Sequence, residues 1–168
     1  MAVSGCGRRP VSVNGALPGA TLDSRLDRSM KARISYRISS VLLLLFAAGH
    51  TVGFRQNNPE WRADAVLGSM HAVHFDAQGF TRTYWDFFSA FGLYFSVFLL
   101  FAAVLAWLLS RLPEETLGRV RSIAWALAIC FVAITALTWQ YAFTTPLVFS
   151  SLITVCLITA ARFSTKSV

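Results

Sequence analysis

Four apolar stretches, residues 39–54, 85–109, 120–139 and 147–161, hold a single acidic residue between them, Asp86. A hydrocarbon layer about 30 Å thick takes roughly 20 helical residues to cross, and backbone amides inside it must bond within the chain, so helices are the expected form. The pattern predicts an all-α fold: a four-helix transmembrane bundle with spans near 36–55, 85–110, 118–139 and 146–163, in one domain covering 34–163. Only 14 % of the 168 residues are charged and the mean hydropathy is +0.56, which argues against a soluble multidomain enzyme.

The net charge of +7 would suit nucleic acid if it covered a folded surface, but the basic residues sit at the ends of the apolar stretches. Seven Lys and Arg, the last of them Arg37, lie in the N-terminal segment up to the start of the first apolar stretch, Arg111, Arg119 and Arg121 belong to the second connection and its edges, and Arg162 and Lys166 to the C-terminus. Against these twelve, the connection after the first span carries Arg55, Arg62 and Arg82. Basic flanks are retained in the cytoplasm, so both termini are expected inside and residues 55–84 outside, in a bacterial inner membrane. No nucleic-acid partner is expected. The lipid bilayer is, with a second copy or another membrane protein as a further possibility.

Residues 1–33 combine Gly, Pro, Ser and Arg without an apolar period and read as a disordered basic tail; 164–168 form a short cytoplasmic tail. The basic start before Val41 mimics a signal peptide, but no small-x-small cleavage site follows. Gly49 and Gly53 instead have the G-x-x-x-G spacing that lets a neighbouring helix approach closely. Cys130 and Cys156 fall near mid-span, where free cysteines act as small apolar side chains.

The outward connection is too long for a tight helical hairpin. Asn58-Pro59-Glu60 reads as a helix cap, and Val66, Met70 and Val73 recur at helical spacing, so a short interfacial helix ending at Gly79 is expected. Thr83 and Asp86 have capping-box spacing and open the second span. Glu114 and Glu115 suit the positive end of a third helix starting at Pro113, and Thr145-Pro146 reads as the cap and first position of the fourth.

Ionisable groups in a bilayer are costly, so they are the first place to look for chemistry. His50, in the outer half of the first span, and Asp86, at the mouth of the second, are expected at one membrane level. With Tyr84 they are the catalytic candidates, and His50, Trp85, Asp86 and Gln140 are the ligand-binding candidates. Each has a plainer role available: a helix-to-helix hydrogen bond for His50, a cap for Asp86, an interfacial anchor for Trp85. His71 and His74 stand at i and i+3, a spacing that on one helical face can chelate zinc or copper, but H-E-x-x-H is absent. No cofactor is expected: the chain has no phosphate-binding glycine loop, no C-x-x-C and no histidines on facing spans for a haem.

The Gly-His-Thr-Val-Gly-Phe run at 49–54 and the Thr-Tyr-Trp-Asp-Phe run at 83–87 resemble a family of uncharacterised bacterial four-helix integral membrane proteins. The resemblance spans residues 33 to 163 and implies a compact four-span inner-membrane protein. It implies no activity. A looser likeness to DoxX-type membrane proteins rests on helix number. Three functions stay open at this point. They are an accessory protein acting through helix packing, an enzyme or binding protein for a lipid, isoprenoid or quinone-like molecule, and an oligomeric small-solute transporter.

Overall fold

The computed structural model describes residues 18–164. Helix α1 runs from Pro18 to Gly53, α2 from Asp64 to Ala72, α3 from Tyr84 to Arg111, α4 from Glu114 to Arg119, α5 from Arg121 to Tyr141 and α6 from Thr144 to Phe163. Strands β1 (His74–Ala77) and β2 (Phe80–Thr83) form one antiparallel hairpin between α2 and α3. Four helices are long and apolar enough to cross a membrane: Leu26–Gly53 within α1, then α3, α5 and α6. The all-α four-helix bundle is therefore the architecture.

Helix α1 packs against both α3 and α6, and α6 packs against α5. Small side chains make these contacts possible. Ala102, Ala103 and Ala106 of α3, Ala124 and Ala128 of α5, and Ala160 and Ala161 of α6 are all buried, so backbones approach where lipid-facing residues could not. Larger rings fill the centre: Phe46 of α1 meets Phe95 of α3 at 6.1 Å and stacks on Phe149 of α6 at 5.6 Å, while Phe98 of α3 stacks on Phe131 of α5 at 6.1 Å. Hydroxyls add bonds between helices, since Ser40 Oγ donates to the Ala103 carbonyl (2.9 Å) and Thr154 Oγ1 to the Phe131 carbonyl (3.0 Å). Such bonds are worth on the order of 0.6 kcal/mol each in a membrane. Outside, Leu44, Leu45, Phe101, Val104, Leu137 and Val155 stand exposed, the inverse of a water-soluble bundle.

The segment expected to be an irregular tail is helical from Pro18 onward. Leu26, Arg28, Met30, Lys31, Ala32 and Arg33 are good helix formers, and Lys31 Nζ pairs with Asp27 one turn away at 2.6 Å. A helix stabilised by propensity and charge spacing shows no apolar period, so composition and periodicity alone do not reveal it. Residues 1–17 and 165–168 of the expected tails, Cys6 among them, lie outside the described residues.

Three further boundaries differ from expectation. The third apolar helix is interrupted at Val120 (φ −91°, ψ 16°), so Glu114 and Glu115 open the short α4 and the span itself begins at Arg121. Helix α6 starts at Thr144 with Phe143 at the cap position and no side-chain cap bond, which puts Thr145 and Pro146 inside its first turn, where proline is tolerated.

The third difference lies between the first two spans. Asn58 does accept the Glu60 amide at 3.0 Å, but the turn it caps, Pro59–Trp61, is a 3₁₀ turn that ends at Arg62 in the left-handed region. A short helix follows as α2, and it stops at Ala72 rather than Gly79. The chain then forms the hairpin, because Phe, Thr and Arg alternate along 80–83 and the two loop residues, Gln78 (φ 53°) and Gly79 (φ 84°), take the positive φ values of a tight hairpin turn. Thr81 Oγ1 donates to Asp76 Oδ1 across the pair at 2.7 Å.

Candidate functional site

His50 sits on the last full turn of α1, half-buried against α3. Its Nδ1 lies 3.1 Å from Ser96 Oγ, and Thr51 Oγ1, the neighbouring side chain, reaches the same oxygen at 2.8 Å. Thr51 also bonds the Ala47 carbonyl (2.7 Å) and Ser96 the Gly92 carbonyl (3.2 Å). Two hydroxyl hydrogens thus serve four contacts, and the imidazole tautomer decides their direction. With Nδ1 protonated, the ring donates to Ser96, whose hydrogen turns to Gly92. With Nδ1 bare, Ser96 donates to the ring.

Aromatic side chains enclose this node. The His50 ring stacks on Phe54 (5.3 Å) and meets Phe95 edge-on (4.9 Å). Phe54 in turn contacts Phe88 (5.9 Å), Phe88 contacts Trp85 (5.5 Å), and Trp85 lies 4.5 Å from the His71 ring on α2. A continuous run of rings therefore joins the connecting segment to the bundle centre. It passes over Gly92, where an added Cβ would come within 2.5 Å of the Phe54 ring.

Asp86 belongs elsewhere. Its Oδ2 accepts the Thr83 amide (2.8 Å) and its amide donates to Thr83 Oγ1 (3.1 Å), a complete capping box at the exposed start of α3. His50 contacts α3 at Ser96, ten residues further along, or about 15 Å of helix rise. The expectation that His50 and Asp86 share one level fails for this reason: the end of α1 meets α3 at Ser96 and Gly92, below its first turn.

The remaining candidates divide. Tyr84 packs on Phe75 of the hairpin (5.1 Å), and Trp85 lies on the ring ladder. Gln140 is exposed at the end of α5 and shares no hydrogen bond with His50, Trp85 or Asp86 among the described residues. His71 and His74 do not lie on one helical face. His71 ends α2 against Trp85, whereas His74 begins β1 with Nδ1 2.9 Å from the Ala72 carbonyl. Among the described residues, no group of three or more His, Cys, Asp or Glu is placed to hold a metal ion.

Sequence reasoning passed over two features. Ser96, with Gly92, forms a small-x-x-x-small pair on α3, and that pair is where α1 approaches closely. Gly49 and Gly53, selected for that role, face outward, and a Cβ on either would meet nothing within 4 Å. The second is a cleft of about 440 Å³ between one face of the hairpin and the first three turns of α3, lined by Phe80, Arg82, Asp86, Phe91 and Tyr94 among others.

Fold and site together define a multi-pass α-helical membrane protein whose embedded polar side chains bond helix to helix. Compared with known proteins, the chain matches no family model, no curated protein and no solved structure.

Proposed function

We propose that the chain is a non-catalytic accessory protein of the bacterial inner membrane, with both termini cytoplasmic, that acts by packing against a second copy or another membrane protein. The observation that carries this reading is the commitment of its intramembrane polar groups to structural bonds. Within the spans His50 is engaged by Ser96, Thr154 by the Phe131 carbonyl and Ser40 by the Ala103 carbonyl, while at the exposed mouth of α3 Asp86 caps the helix through Thr83. Proton transfer between His50 and Asp86 would need them within hydrogen-bond reach or one water apart, and about 15 Å of helix separates their levels.

The outward glycines supply the packing surface. Gly49 and Gly53 are one turn apart on α1 with open space in front of each. Small-x-x-x-small faces let membrane helices approach closely, and this one is unused within the chain. The charge bias of the flanks supports the cytoplasmic placement of the termini.

Fluorescence energy transfer between labelled copies in lipid vesicles, and co-purification from native membranes, test the reading. Gly49→Leu adds a side chain into open space, so the helical content and thermal stability of the single chain stay unchanged while association falls. Association undiminished by Gly49→Leu and Gly53→Leu together would remove the glycine face as the contact. A turnover activity lost in His50→Ala with assembly intact would overturn the non-catalytic reading.

A further inference from the structure

The cleft beside the hairpin has a chemistry of its own, independent of the packing face. Register places Ala77 opposite Phe80 and Phe75 opposite Arg82, so alternate hairpin residues turn one face toward α3. From α3, Asp86, Ala90, Phe91 and Tyr94 complete the wall. At about 440 Å³ the space is within the range of small-molecule sites.

Its two charges are opposite and close in sequence, yet neither is in an ion pair among the described residues. Arg82 uses Nη1 on the Thr81 carbonyl (2.8 Å) and rests its guanidinium 5.2 Å from the Phe80 ring centre, which leaves most of its five N–H donors unused. Asp86 commits Oδ2 to the cap and keeps Oδ1 as an acceptor. Below the charges, Phe91 and Tyr94 are each about two-thirds exposed, and Val97, Phe101 and Val104 extend the apolar surface down α3. The charged end is at the helix start, where a spanning helix meets the headgroup layer.

A cation and an anion that feel each other's charge but make no contact ion pair, at the head of an apolar groove, leave room for a zwitterion on an acyl chain to bridge them. We infer that the cleft is a binding site for a phospholipid whose headgroup carries a phosphate and a primary ammonium. The phosphate lies on Arg82, the ammonium donates to Asp86 Oδ1, and an acyl chain follows Phe91 and Tyr94 along α3. A quaternary ammonium has no N–H to donate, and a glycerol headgroup has no cation, so both are poorer fits.

Native mass spectrometry of the full chain, released from detergent with dioleoyl phosphatidylethanolamine, phosphatidylcholine or phosphatidylglycerol added in turn, reads this directly. One phosphatidylethanolamine is retained about tenfold more than either other lipid, the size expected for one charge-assisted hydrogen bond. Asp86→Asn keeps an acceptor for the cap but removes the charge, so the preference over phosphatidylcholine disappears. Arg82→Gln, outside the cap, lowers retention of phosphatidylethanolamine and phosphatidylglycerol alike. Ala90→Leu fills the cleft and abolishes specific retention of all three. Equal retention of the three lipids by the wild type, a preference for phosphatidylglycerol, or a preference that survives both Arg82→Gln and Ala90→Leu would overturn the inference.

Discussion

His50 and Ser96 meet across the α1–α3 contact with Nδ1 3.1 Å from Oγ, and Thr51 joins the same oxygen. Ser96 is the shared partner, so its removal strips two side chains on α1 at once. Ser96→Ala is expected to lower thermal stability in detergent by about 1 kcal/mol, in line with a hydrogen bond lost in a buried place. His50→Ala also loses the ring contacts to Phe54 and Phe95, so it costs more than Ser96→Ala. Equal stability of Ser96→Ala and wild type would show that the node is incidental.

Gly92 and Phe54 form a second test of the same interface. Alanine at a helical glycine gains about 1 kcal/mol of propensity, while overpacking costs about 1–3 kcal/mol. An added Cβ at Gly92 meets the Phe54 ring at 2.5 Å, so the ring must leave its stack on His50. Gly92→Ala is therefore expected to be neutral or destabilising in the wild type and stabilising in a Phe54→Ala background. The two effects should differ by about 1 kcal/mol or more in a double-mutant cycle of thermal unfolding. Additive effects would contradict the close approach.

The capping box predicts coupling at the start of α3. Thr83→Ala is expected to cost about 1 kcal/mol, as removal of an N-cap hydroxyl does elsewhere. Asp86→Ala weakens the same turn, and combining the two should cost less than the separate losses added together, because each bond positions the other. Hydrogen exchange at the amides of Thr83 and Asp86 reads this locally: faster exchange in either variant is expected, confined to the first turn.

The long apolar helices and the Thr83–Asp86 cap were legible in the sequence because each depends on residues near one another in the chain. Helix rotation was not. The G-x-x-x-G spacing at Gly49 and Gly53 marked a surface suited to close packing, but which surface meets a neighbour depends on the other helices, and the contact formed at Gly92 and Ser96 on α3 instead. The level of His50 relative to Asp86 is hidden for a related reason, since it depends on where along α3 the end of α1 docks, which is at Ser96. The hairpin is masked in the sequence because the apolar positions of 66–73 keep helical spacing past Ala72, although Gln78-Gly79 between the two short strands carries a turn signal. That hairpin supplies Arg82 and Phe80 to the cleft, so the candidate lipid site was hidden with it.

In a four-span arrangement the α3 crossing puts the hairpin and α4 on opposite sides of the membrane, and cysteine labelling measures this most directly. With Cys6, Cys130 and Cys156 replaced, single cysteines at exposed Gln78 and exposed Glu115 are offered a membrane-impermeant maleimide, first in intact cells and then after the membrane is opened. Gln78→Cys is expected to react in intact cells and Glu115→Cys only after opening. Reaction of both positions from the same side would contradict the four-span arrangement.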